Sequence, residues 1–193
     1  MKATKAWLGD IAKFERRRFK ASSVAAAGIA ALGLLLAPME LLADTPVPNT
    51  FPLPYGPDIG QSCATAALNA SLDHARANNL NVTVAVVDTS GRVVVLSRMD
   101  NAHKAGVDFA IEKALSAALY KRSTKIFSDA LAGGRQAILG FMNLHVHAAE
   151  GGEVLVIKDE IVGGIGAAGA TQQQDRAIAN AGVQVASSCA SAR

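Results

Sequence analysis

All six prolines of this 193-residue chain fall between Pro38 and Pro57, and none occurs from Asp58 to Arg193. Proline fixes φ and removes a backbone donor, so it breaks helix interiors and central strands. Its absence leaves that long stretch open to uninterrupted secondary structure. Its crowding into DTPVPNTFPLPYGP, residues 44–57, predicts an extended, polyproline-like leader ahead of one folded domain. The expected organisation is an N-terminal segment over 1–43, the leader over 44–57, a domain over 58–186 and a tail over 187–193.

The N-terminal segment reads as an export signal. Glu15-Arg16-Arg17-Arg18-Phe19-Lys20 precedes a run, Ala21 to Ala37, that is apolar apart from two serines and glycines, and Ala43 offers a small-residue cleavage position. The arginine pair resembles the twin-arginine type, although a third arginine and the lack of Ser or Thr ahead of it leave the Sec route open. The alternative is a membrane anchor, for which a run of 17 residues is at the lower limit. An export signal places the protein in the periplasm or outside the cell, with no membrane span after cleavage.

Composition matters here mainly through charge. Residues 1–43 hold seven of the 19 Lys and Arg but three of the 16 Asp and Glu. The remainder has twelve basic and thirteen acidic residues, a net charge near −1. That excludes the basic face a nucleic-acid partner requires. Cys63 and Cys189 lie near the two ends of the domain. In an oxidising compartment they have one intramolecular pairing, and the alternative is two unpaired thiols.

Periodicity gives the elements. Asp58–Asn79 is Ala-rich with helical spacing, while Val82–Asp88 and Arg92–Met99 flank the turn Thr89-Ser90-Gly91 as a hairpin. Val107–Tyr120 is a second helix, and Thr124 caps a shorter one ending at Gly133-Gly134. Ile138–His147 reads as a loop passing into a strand. Val154–Lys158 and Ile161–Ala168 form another hairpin, and Thr171 caps a last helix to about Val185. The fold class is α/β (α+β): a single antiparallel sheet of about five strands packed against helices.

Three segments in register resemble the GlcG/HbpS-like family of haem-degrading and haem-binding proteins. They are Val84-Ala85-Val86-Val87-Asp88-x-x-Gly91 running on to Arg98-Met99-Asp100, then Ala110-x-x-Lys113-Ala114-x-x-Ala117. The third is Gly151-Gly152 with Ile161-Val162-Gly163-Gly164-Ile165-Gly166, Gly169 and Asp175. The chain departs from the family pattern at Asn101, Glu160 and Ala170, where the family favours glycine. The resemblance implies a profilin-like or roadblock-like sandwich, a homo-oligomer, and haem or another small ligand. It also implies, for exported members, a redox or sensor protein as partner.

Several residues can carry that chemistry. Gly163, Gly164, Gly166 and Gly169 let either a ligand or another backbone approach closely. Lys113 can meet a ligand carboxylate such as a haem propionate, or pair with Asp100, Asp108 or Asp175. Asp175, in the first turn of the last helix, complements the helix dipole. Arg98 and Asp100 are expected on the rim of the same site. His145 and His147, two apart on a strand, would share a face and can ligate haem iron or a transition metal, with Glu150 near enough to add a carboxylate. His103 is a second axial-ligand candidate, and His74 is expected to be solvated.

No nucleophile elbow, P-loop or Cys-x-x-Cys is present, and the Gly163–Gly166 run lacks the context of a dinucleotide site. The leading expectation is a periplasmic, oligomeric haem- or tetrapyrrole-binding protein. The alternatives are a small enzyme using Lys113 and Asp100 on a hydroxy- or oxo-acid, and a scaffold whose glycines serve assembly alone.

Overall fold

The computed structural model describes residues 53–189. The export segment and most of the leader therefore lie outside the described residues, as does the end of the tail. Among the described residues no helix is long and apolar enough to cross a membrane.

The elements run α1 (Gln61–Ala77), β1 (Thr83–Val87), β2 (Val93–Arg98), α2 (Gly106–Tyr120), α3 (Lys125–Ala132), a 3-10 helix (Gln136–Leu144), β3 (Gly152–Ile157), β4 (Glu160–Ala168) and α4 (Gln172–Ser187). The strands form one antiparallel sheet of order β2-β1-β4-β3. It has four strands where about five were expected. The missing one is Ile138–His147, which coils into the 3-10 helix. Its apolar residues do not alternate, only Ile138 of the helix is buried, and left-handed His145 (φ 64°) stops an extended chain from forming. The end of the leader partly takes the vacant role: Gly56 N–H donates to Ile161 O at 2.9 Å and Ile161 N–H to Pro54 O at 2.9 Å.

Alternate residues of β1 and β4 face two helical layers. Val84, Val86, Ile165 and Ala167 pack with α1 and α4 in the main core. Ala85, Val87 and Ala168 face α2 through Ala110, Ala114 and Ala118. The disulfide Cys63–Cys189, with Cα atoms 6.0 Å apart, ties α1 to the end of α4. Closing a loop of 126 residues stabilises by about 4–5 kcal/mol in the chain-entropy account.

Two caps behave differently. Thr171 forms a full capping box: its hydroxyl accepts from Gln174 N–H at 3.3 Å and Gln174 Oε1 accepts from Thr171 N–H at 3.1 Å. Thr124 does not cap α3. Its buried hydroxyl instead accepts from Gly152 N–H at 3.0 Å, locking the start of α3 to β3.

The glycines of β4 serve this packing. A Cβ on Gly166 would strike the carbonyl oxygen of Ala110, one on Gly164 that of Ala114, and one on Gly152 that of Lys113. The backbone of α2 thus lies directly on a glycine floor. Gly166→Ala should lower the unfolding free energy by about 3 kcal/mol, because neither backbone can retreat. Gly140→Ala, with nothing within 4 Å of the new methyl, should stay within about 0.5 kcal/mol of the parent in the same urea titration.

Candidate functional site

Lys113 on α2 and Asp175 on α4 belong to opposite helical layers, yet they meet past the end of the sheet. Lys113 Nζ donates to Asp175 Oδ2 at 2.8 Å and to Ala167 O at 2.9 Å. Asp175 Oδ1 accepts from Ala170 N–H at 3.0 Å. Both side chains are 5% exposed. The passage exists because Gly151 is bare: with φ at +112°, a Cβ there would stand 2.8 Å from Asp175 Cβ and 3.1 Å from Lys113 Nζ. Burial pushes the Asp175 carboxyl above its ordinary range, while Lys113, the Ala170 N–H and the charge of His103 pull it part of the way back.

Of the three partners open to Lys113, Asp175 is the one it takes, and two of the three ammonium donors are used by Asp175 and Ala167 O. Gly164 and Gly166 are covered by α2 and form no ligand floor. Gly169 (φ +148°) likewise meets backbone, 2.7 Å from Asn81 O if a Cβ is added. Arg98 and Asp100 line a cleft of about 350 Å³ with Arg76, Asn81, Ser97 and Asn101. That cleft includes neither Lys113 nor Asp175, so the structure does not assemble an acid/base pair of Lys113 and Asp100. Asn101 takes the left-handed conformation (φ 65°) that a glycine would otherwise supply.

The histidines divide. His145, beyond the 3-10 helix, sits with Nδ1 3.4 Å from Glu112 Oε2 on the exposed side of α2. His147 turns inward, half-buried, its backbone N–H donating to the buried Ser116 hydroxyl at 3.1 Å. They do not share a strand face. Among the described residues no group of three or more His, Cys, Asp or Glu side chains is placed to hold a metal ion, so the set of His145, His147 and Glu150 is not assembled. His74 is half-buried on α1.

Phe109, one turn before Lys113, links the remaining two histidines. Its ring is 6.3 Å from that of His103 and 6.0 Å from that of His147, and the residue is 48% exposed. Burial, and then the positive charge of Lys113, lower the His147 pKa; Glu112 opposes them weakly. The imidazole is therefore neutral at neutral pH and keeps a ring lone pair free for an electrophile or metal. Beside Gly106, whose bare Cα also adjoins the His103 ring, the buried Thr83 hydroxyl has no hydrogen-bond partner among the described residues. Sequence reasoning missed Phe109 and Thr83. The i, i+4 spacing of Phe109 and Lys113 was a readable signal for the first. Nothing in the sequence marks the second.

The chain is thus a three-layer α/β sandwich with a buried ion pair and two imidazoles around one exposed aromatic ring at a sheet end. Residues 59–184 match the family described as "Haem degrading protein HbpS-like", and the chain belongs to that family. It is 35% identical to Protein GlcG of Escherichia coli strain K12 over 108 residues, 56% of this chain and 79% of that protein. The fold superposes on a double mutant of HbpS from Streptomyces reticuli with TM-score 0.60 at 29% identity, covering 84% of this chain and 98% of that one. It matches a crystal structure of a PduOC:haem complex with TM-score 0.61 at 25% identity, over 66% and 94% of the two chains.

Removing one partner of the buried pair strands the other charge. Asp175→Ala should cost about 3–5 kcal/mol of unfolding free energy, whereas the double variant Lys113→Met/Asp175→Leu should recover most of it; chemical denaturation distinguishes them. His147 gives a pH signature. Its folded-state pKa lies below the unfolded value, so its stabilising contribution is complete above the ordinary histidine pKa and is lost as pH falls through the folded value. Stability should therefore drop on acidification below about pH 6.5, and the drop should shrink in His147→Gln.

Proposed function

We propose that this protein binds haem or a related tetrapyrrole on the surface formed by Phe109, His103 and His147. The carrying observation is the ring contact of Phe109 with both histidines, one of them held neutral by burial and by the Lys113 charge. His147 would bind the iron, with His103 on the other side of the Phe109 ring as a second candidate contact, and that ring would lie against the macrocycle. Haem supplies the iron and the flat apolar face; the chain supplies imidazole nitrogen and aromatic surface. The family description names haem, and one structural neighbour is described as a haem complex.

The proposed setting is the periplasm or the cell exterior. The arginine-led apolar segment and the Cys63–Cys189 bond, which persists in oxidising compartments, support it. We place a homo-oligomer contact on the 3-10 helix, where Leu139, Phe141, Met142 and Leu144 are each 48–59% exposed.

Titration with haemin at micromolar concentration should give a Soret band with the ligand-field features of an imidazole-bound iron. His147→Ala should lose those features and bind about tenfold or more weakly. An unchanged spectrum of free haemin in the presence of the parent protein would refute the reading.

A further inference from the structure

Glu150 ends away from the histidines. It is only 7% exposed, and its backbone N–H donates to Gln172 Oε1 at 3.0 Å. No hydrogen bond among the described residues reaches its carboxylate. The nearest cation, Lys125, stands 4.0 Å away, because its ammonium is held by both Asp129 oxygens at 2.6 Å. The Glu150 oxygens are not sealed in: they open on the adjacent cleft, where no donor among the described residues bonds them directly and a ligand cation can.

This carboxylate lines an open cleft of about 400 Å³ together with Lys125, Gln173, Arg176, Ala177 and Asn180. Arg176 bonds Glu153 through Nε at 3.2 Å, and its terminal nitrogens offer further donors. Burial pushes the Glu153 carboxyl up, Ser123 and Arg176 oppose this, and the charge of Glu150 adds to the upward push. The wall thus presents an under-partnered anion beside two cations with donors to spare.

We propose that this cleft binds a small zwitterion of the α-amino-acid class, its ammonium on Glu150 and its carboxylate on Lys125 and Arg176. An α-amino acid carries its two charges one carbon apart, the scale of the 4.0 Å gap between Glu150 and Lys125. A simple amine would satisfy Glu150 but leave the spare donors of Lys125 and Arg176 unused, and a simple carboxylate would use those donors but leave Glu150 unmet. A bound metal ion fits less well, because no three-ligand group is assembled among the described residues. Gln173 and Asn180 supply amides for a polar side chain. The site shares no residue with the histidine surface, so it stands whether or not haem binds there.

The test is a thermal-shift screen of the purified protein with the standard L-amino acids at millimolar concentration, followed by calorimetric titration. Methylammonium and acetate serve as single-charge probes. At least one amino acid should raise the melting temperature and bind more tightly than either probe. Glu150→Gln should weaken that binding about tenfold or more, while its ligand-free melting temperature stays level or rises as a buried charge is removed. Lys125→Met, at a half-buried position, provides a second reading: it should weaken the amino acid and leave methylammonium unaffected. The proposal fails if no amino acid binds, if methylammonium binds as tightly as any of them, or if Glu150→Gln leaves the affinity unchanged.

Discussion

The contact of Lys113 with Asp175 is the constraint on which the rest of the structure depends. A charged side chain from one helical layer crosses the end of the sheet to reach a carboxylate in the other layer, and both are desolvated. Such a pair is stabilising only if its remaining bonds are met. Ala167 O and Ala170 N–H meet them. The crossing fixes where α2 lies and how deeply it sits. That depth forbids side chains on Gly152, Gly164 and Gly166, and it forces Gly151 to turn with positive φ. Glycines scattered in the sequence are thus consequences of one helix placement.

The same placement builds the candidate site. Lys113 is four residues beyond Phe109, so anchoring its ammonium at the sheet end brings the ring of Phe109 to the surface just above. The Lys113 charge then acts on His147, which is held by Ser116 of the same helix. After burial itself, the charge of this buried cation helps to keep the neighbouring imidazole neutral.

Much of this was legible in the sequence because it is local. The turn Thr89-Ser90-Gly91 marked the first hairpin, and Thr171 marked the start of the last helix. Cys63 and Cys189 had one partner each to choose. What was not legible depends on contacts distant along the chain. Thr124 looked like a cap, but β3 competes for its hydroxyl. The glycines could admit a ligand or a helix, and only the position of α2 decides. His145 and His147 shared a face only if their backbone was extended, and the left-handed turn at His145 removes that condition. Arg98 ends β2 and Asp100 follows two residues later, and both line a different cleft.

We propose a ligand surface organised around Phe109, at the sheet end above the Lys113–Asp175 pair. The most direct measurement is a backbone amide NMR map with diamagnetic gallium protoporphyrin. The account predicts perturbations centred on Phe109, His103 and His147. Perturbations centred on Arg98 and Asp100, with the amides around Phe109 unmoved, would contradict it.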